Sequence, residues 1–346
     1  MQFRKVVFMV TCLLGNIAGV SAQVHVSVAP YYGGRLAALS LTFDDGLEDQ
    51  YTLAAPQLNS RGLKATFAIV GSKVGGKMRS KQDRAEGTDG TPVMTWDMVR
   101  QLAADGHEIS SHGWEHRAVT RLSEEELHRE VACNDSVIFR ETGQWPTTFF
   151  YPGNNKNDAT VAFCEQGRVG SRTFQISVGS KRSVSFLRAY VDSLIARGEW
   201  GVTMTHGIAR GYDHFNDPQV LWSLLDYLVE KREQLWVAPF RDVAAYVKEA
   251  ASTRCEVRCE KSGVIISPHM DLDPKLFSHP LTIVVAGCEA EAFTAEQDGL
   301  PLNVVRKDGC LLIDIVPGGG DVVITHLAPR TSHLVPRTSH LAPRTS

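Results

Sequence analysis

The stretch ALSLTFDDGLED, residues 38–49, drives six mostly apolar residues into two adjacent aspartates and a glycine. A short apolar run of this kind reads as a buried strand, and α/β folds keep their chemistry at the carboxyl ends of such strands. Neighbouring carboxylates repel each other unless a cation sits between them or they point in different directions. Asp44 and Asp45 therefore read either as a solvated turn or as the start of a site, and the rest of the chain must decide.

Similar apolar runs recur at 37–43, 65–70, 107–111, 147–151, 171–176, 201–205 and 235–238, with amphipathic stretches between them. In LSEEELHREVACNDSVIFRETG, residues 122–143, Ser123 is an N-cap, Glu126 completes a capping box and Gly143 is a stop. SFLRAYVDSLIARG (185–198) and DPQVLWSLLDYLVEKRE (217–233) follow the same rule, the second with Asp217 as cap and Pro218 in the first turn. Strands alternating with helices imply parallel pairing, and about seven such units predict an α/β barrel. The polar, glycine-rich segment 72–92 reads as an exposed insertion after the second strand.

Beyond residue 250 the texture changes. PLTIVVAG (280–287) and LNVVRKDGCLLIDIVPGGGDVVIT (302–325) are strand-rich, with Asp-Gly and Gly-Gly turns. They predict a small β-sandwich-like domain over 251–325. Its only aromatic residues from 255 on are Phe277 and Phe293, so a structural cap is favoured over a sugar-binding platform. The final stretch, 326–346, is three copies of a seven-residue unit, HLAPRTS, HLVPRTS and HLAPRTS. Proline in every copy rules out a helical heptad, leaving a disordered tail as the expectation.

At the other end, Arg4 and Lys5 precede an apolar stretch to Val20, and VSA precedes Gln23. This pattern predicts a signal peptide over 1–22, a catalytic segment over 23–250, and export to the periplasm or beyond. No membrane span is expected after cleavage. The formal net charge of −3 gives no polybasic surface, so nucleic acid is not an expected partner, and no protein partner is evident. Of the seven cysteines, four lie after residue 250. Their spacing fits no zinc ribbon, so disulfides or buried thiols are the better expectation.

The polar residues at the carboxyl end of each apolar run favour a site over a solvated turn. Asp44 and Asp45 end the first, His112 and His116 come after 107–111, Pro152 and Gly153 after 147–151, and His206 after 201–205. Two imidazoles four residues apart can grip one ion, and a carboxylate beside them leaves open positions for water and substrate. Asp45, His112 and His116 are the expected ligands of a metal ion. Asp44 is left as a base and His206 as an acid.

At these residues the chain resembles the polysaccharide deacetylase (NodB-homology) family, carbohydrate esterase family four. TFDDG, 42–46, matches its first motif; SHGWEH, 111–116, fits its second; THGI, 205–208, fits its last. The resemblance, over about 36–250, implies a distorted (β/α)7 barrel, a zinc or similar ion and hydrolysis of acetyl groups from N- or O-acetylated sugars. It implies Asp44 as base, Asp45, His112 and His116 as ligands, and His206 as acid. Where the family usually carries Arg-x-Pro-Tyr, this chain reads Phe150-Tyr151-Pro152-Gly153. The arginine that orients the base is missing there, and Arg172 is the candidate to replace it from the next strand. The Gly153 amide is the candidate oxyanion donor, and Trp114 and Tyr151 are candidate sugar-stacking faces. The motif with an aspartate near a tryptophan has no clear match, since Asp192 and Trp200 sit in the wrong settings. Two other classes stay open: a carbohydrate-binding relative with weakened catalysis, and an amidase or esterase on a non-sugar substrate.

Overall fold

A computed structural model of the protein describes residues 10–12, 24–179, 182–260, 263–288 and 293–326. Apart from Val10–Cys12, the expected signal segment lies outside the described residues, as does the repeat tail from 327 onward.

The strand Ala37–Phe43 is buried along its whole length and anchors one mostly parallel, curled sheet. Its neighbours are Trp200–Thr205 on one side and Thr66–Ile69 on the other, continued by Glu108–Ser111, Thr148–Phe150 and Gly170–Arg172. Leu235–Val237 pairs with the first half of Ala37–Phe43. Every pair in this sheet is parallel, as strands separated by helices require. The run expected as one strand at 171–176 is two short ones. Gly170–Arg172 pairs with Thr148–Phe150, whereas Ile176–Ser177 pairs with Trp200–Thr205. The chain itself, rather than a hydrogen-bonded ladder, spans that gap, and the result is the distorted α/β barrel expected.

Alternation along Ala37–Phe43 assigns its two faces. Ala37, Leu39, Leu41 and Phe43 enter the main core with Leu58, Leu102, Val191 and Leu225 from surrounding helices. Thr42 and Asp44 fall on the opposite face, inside the barrel, as the two-residue period dictates. The helix Glu124–Thr142 begins at Ser123 with the expected reciprocal Ser123–Glu126 box and ends at Gly143 with φ 72°. The Gln219–Glu230 helix starts one residue later than the sequence suggested, with the Asp217 carboxylate accepting the Gln219 N–H at 2.9 Å.

The segment 72–92 is more ordered than a plain loop. It carries a short hairpin, Lys77–Met78 against Thr91–Pro92, and the helix Lys81–Glu86 capped by Ser80. Its own local hydrogen bonds supply the order that its apolar content could not foretell.

Two antiparallel five-stranded sheets form the second unit. One contains Val10–Cys12, Val24–Val28, Leu281–Ala286, Cys310–Ile315 and Val304–Lys307. The other contains Arg254–Glu260, Gly263–His269, Val322–His326, Phe293–Gln297 and Leu300–Leu302. Both sheets send apolar side chains into one core, Val26, Ile283 and Ile313 from one and Val264, Ile266 and Ile324 from the other. Val24–Val28 thus belongs by its hydrogen bonds to this unit, although it precedes the barrel in sequence and local patterning grouped it with 23–250. Cys133, Cys164, Cys255, Cys288 and Cys310 are free thiols.

The Phe240–Ser252 helix joins barrel to sandwich. Val243 and Tyr246 share the sandwich core, and the Tyr246 hydroxyl donates to the Ala29 carbonyl at 2.9 Å. On the same helix Glu249 is fully buried, one oxygen accepting the His279 N–H at 2.9 Å. Burial pushes its carboxyl up to about 7 from an ordinary 4.5. Between these pH values the folded chain holds a proton on Glu249 that the unfolded chain releases, so stability falls as pH rises through the window. Tm measured from pH 4.5 to about 7 should decline for the wild type, and Glu249→Gln should flatten that decline.

Candidate active site and metal centre

Parallel register brings the strand ends to one rim. Phe43 lies opposite both Thr205 and Phe67, Ser111 opposite Phe149, and Phe150 opposite Arg172. The residues just beyond these strand ends therefore converge. Asp44, Asp45, His112, His116, Gly153 and His206 line a single cleft of about 980 Å³.

Asp45 adopts φ 71° and Gly46 φ 65°. A left-handed backbone is common for glycine but uncommon for aspartate, and it costs roughly 1 kcal/mol. That turn sends the two adjacent carboxylates to different partners. Asp44 takes Arg172: Nη1 donates to Oδ1 at 2.7 Å and Nη2 donates to Oδ2 at 2.5 Å. The same Nη1 donates to the Thr42 hydroxyl at 2.6 Å, and the guanidinium lies 4.2 Å from the Phe150 ring centroid. Burial alone would raise the Asp44 carboxyl, but the Arg172 guanidinium, then His112, hold it well below the usual carboxylate range.

Asp45 faces the histidines. Its Oδ1 lies 3.5 Å from His112 Nε2 and 3.3 Å from His116 Nε2, and it is buried with no hydrogen-bond partner. These separations exceed a good hydrogen bond, yet ligands about 2.1 Å from a tetrahedral zinc sit about 3.4 Å apart. The one ligand atom from each residue falls within 4.8 Å of the other two. His112 Nδ1 lies 2.8 Å from the Phe150 carbonyl, which favours the proton on Nδ1 and leaves Nε2 bare toward Asp45. Burial lowers His116 to about 4, so its imidazole is neutral, the ligand form. For His112, burial pulls down but Asp45 and Asp44 raise it further; for Asp45, burial pushes up but the histidines prevail. The donor set fits a divalent cation. Among the described residues it is the one such group, and the late cysteines form none.

Buried polar groups that sequence reading missed hold this set in place. Glu130 Oε1 accepts the backbone N–H of Glu115 at 3.0 Å and of Arg117 at 3.1 Å, shaping the loop on which His116 sits at φ 62°. A Cβ on Gly113 would lie 2.6 Å from that oxygen, so only glycine fits there. Asn134, one helical turn on, binds the Gly71 N–H, the Ile69 carbonyl and the Ser111 hydroxyl. Asp49 Oδ2 accepts three successive N–H groups, Ile208, Ala209 and Arg210, pinning the loop after His206. Gln50 Nε2 donates to the carbonyls of Asp44 at 2.6 Å and His206 at 2.8 Å, tying the loops after the strands Ala37–Phe43 and Trp200–Thr205 together. A signal existed: Glu130 and Asn134 are polar residues at positions that the helical period assigns to the buried face.

His206 is 9% exposed and packs edge-on against Tyr212, with ring centroids 4.8 Å apart. Gly153 reaches the cleft with φ 61°. Tyr151 and Trp114 do not reach it. Tyr151 is buried beside Phe149 and Cys164, and its hydroxyl donates to Ser171 at 2.8 Å. Trp114 packs against the core so closely that a Cβ on Gly71 would lie 2.9 Å from its ring. Asp192 is spent on the Tyr227 hydroxyl at 2.6 Å, on the surface between two helices. Arg172→Met leaves Asp44 buried without its cation and should lower stability by about 3–5 kcal/mol, read by denaturant unfolding. Pairing it with Asp44→Asn should recover much of that loss, since no uncompensated charge remains.

Comparison with known proteins places part of the chain. Residues 35–167 match the family model described as polysaccharide deacetylase. A gellan lyase from Bacillus sp. is 25% identical over 346 aligned positions, which cover 86% of this chain and 13% of that protein. The peptidoglycan-N-acetylglucosamine deacetylase PgdA of Listeria monocytogenes is 28% identical over 115 residues, 33% of this chain and 21% of its own length. Chitin deacetylase 1 of Cryptococcus neoformans is 29% identical over 126 residues, 36% of this chain and 23% of its own. The chain thus spans between 13% and 23% of the length of these relatives. Among solved structures, peptidoglycan deacetylase PdaC from Bacillus subtilis aligns with 60% of this chain and 89% of its own, at 16% identity and a TM-score of 0.42. Arg172 and His206 lie beyond the matched segment, and the fold alone brings them to the rim. The segments 42–46 and 111–116 both lie inside it, and it is over residues 35–167 that the chain is similar to the polysaccharide deacetylase family.

Proposed function

We propose that this protein is a metal-dependent hydrolase that removes acetyl groups from N- or O-acetylated poly- or oligosaccharides. The observation that carries the reading is one cleft holding an orphaned Asp45 carboxylate between two imidazoles, beside an Asp44 clamped by Arg172. The family-model match over 35–167, and the deacetylases among the relatives, support the same chemistry. Asp45, His112 and His116 would hold the cation, zinc by the two-nitrogen, one-oxygen donor set. When bound, it supplies Lewis acidity toward a water and an acyl oxygen.

The chain's own groups do the rest. Asp44 takes a proton from the attacking water. Arg172 keeps that carboxylate ionised and fixed in direction, and each carboxylate oxygen keeps a second lone pair for the incoming proton. A depressed pKa makes Asp44 a weak base alone, so the reaction needs a water already acidified. The Gly153 N–H is the candidate donor to the oxygen on which charge develops. His206, on the far side of the cleft, gives a proton to the departing nitrogen or oxygen. Water and the acetyl group leave as acetate, and the sugar regains its amine or hydroxyl.

The test is acetate release from acetylated chitin, xylan and peptidoglycan fragments by zinc-loaded protein, with and without chelator. Release should cease with chelator and return with metal. Asp44→Asn should lower kcat by about a hundred- to ten-thousand-fold while retaining its metal. His116→Ala should lose both metal and turnover. Full activity in metal-free protein, or near-normal turnover by Asp44→Asn, would overturn the proposal.

A further inference from the structure

The 72–92 segment forms one wall of the cleft, with nine residues in its lining. That segment contributes Lys73, Lys77, Arg79, Lys81 and Arg84 to the lining. It carries five basic residues against three acidic ones, within a chain of net charge −3. Two of its anions are turned to other tasks. Asp83 accepts the Ser80 N–H at 2.7 Å in the capping box and the Thr88 hydroxyl at 2.9 Å. Asp89 pairs with Lys77 at 3.1 Å, with both side chains largely exposed. Among the described side chains, Lys73, Arg79, Lys81 and Arg84 form no ion pair.

The wall is also held firmly against the catalytic loops. Met94 N–H donates to the Gly46 carbonyl at 2.9 Å, Val93 pairs with Leu47, and Val93 N–H donates to the Gly76 carbonyl at 3.0 Å. Ser72 N–H donates to the Trp114 carbonyl at 3.1 Å, on the loop that carries His116. A Cβ on Gly211, beyond His206, would lie 2.8 Å from the Thr91 hydroxyl, so the hairpin also touches the loop after the acid. Tyr212 is the one aromatic residue other than histidine in the lining. Stacking on sugar faces is therefore scarce here, while four cations of the lining have no ion-pair partner among the described side chains.

We propose that the 72–92 hairpin is a recognition wall for an anionic saccharide, one bearing carboxylate, sulfate or phosphate groups on units flanking the one that enters the metal centre. The inference rests on the deacetylase reading for what happens at the centre, but not for what the wall binds. Unpaired ammonium and guanidinium groups gain little from neutral hydroxyls and more from charged oxygens, and Arg79 and Arg84 can engage such groups in bidentate fashion.

The test compares three oligosaccharides of equal length: a neutral one, one bearing uronic acids and one bearing sulfates. Calorimetric binding to the full-length zinc-loaded protein is read at about 0.01 M and about 0.15 M salt, where the screening length falls from about 30 to about 8 Å. Acetate release is read in parallel from the acetylated forms. Either anionic chain should bind about tenfold or more tightly than the neutral one at low salt, a preference that shrinks at high salt. Which anionic chain is preferred identifies the charged group. The double variant Arg79→Glu/Lys81→Glu should abolish the preference, and the salt dependence of the wild type gives the same answer should that variant fold poorly. Equal, salt-independent binding of all three chains would overturn the wall's role even if acetate is released. Salt-dependent binding of an anionic chain without acetate release would uphold the wall and overturn the deacetylase reading instead.

Discussion

Two carboxylates on adjacent residues, both buried, are kept apart here because each faces its own set of partners. Arg172 reaches across the inside of the barrel to take Asp44 with both arms. Asp45, turned away by a left-handed backbone, is left to the two imidazoles. Without Arg172 the first carboxylate would crowd the same imidazoles or take up a proton. The separation of the two carboxylates thus depends on a guanidinium from a distant strand of the sheet.

That guanidinium stands where it does because the sheet curls. Gly170–Arg172 and Ile176–Ser177 pair with different neighbours, so the chain turns inward between them. Arg172 is buried against the Phe150 ring, where leaving it unpaired would be costly. Each partner of the clamp therefore stabilises the other, and the site and the barrel are coupled through one buried contact.

Around this clamp a ring of buried polar side chains shapes the loops. Glu130, Asn134, Asp49 and Gln50 each spend their side chains on backbone groups of the rim. Loops carrying catalytic groups have few apolar residues to anchor them, so hydrogen bonds from the rigid elements must replace packing. The same economy governs the 72–92 hairpin, which is held by backbone bonds to the rim and leaves its cations facing the cleft.

The periodicity of the chain by itself determined the strands, the main helix caps and the parallel order, because burial and capping are local demands on neighbouring residues. It also pointed to the candidate site residues, since Asp44, Asp45, His112, His116 and His206 all stand at or just beyond the ends of apolar runs. Arg172 was a candidate on sequence alone, but only the tertiary structure seats its guanidinium on Asp44, because a contact 128 residues apart leaves no trace in local spacing. It also decided that Tyr151 and Trp114 turn into the core, since side-chain direction at a strand end depends on what packs beside it. The membership of Val24–Val28 in the sandwich was equally invisible, as pairing partners of an antiparallel strand can lie anywhere along the chain.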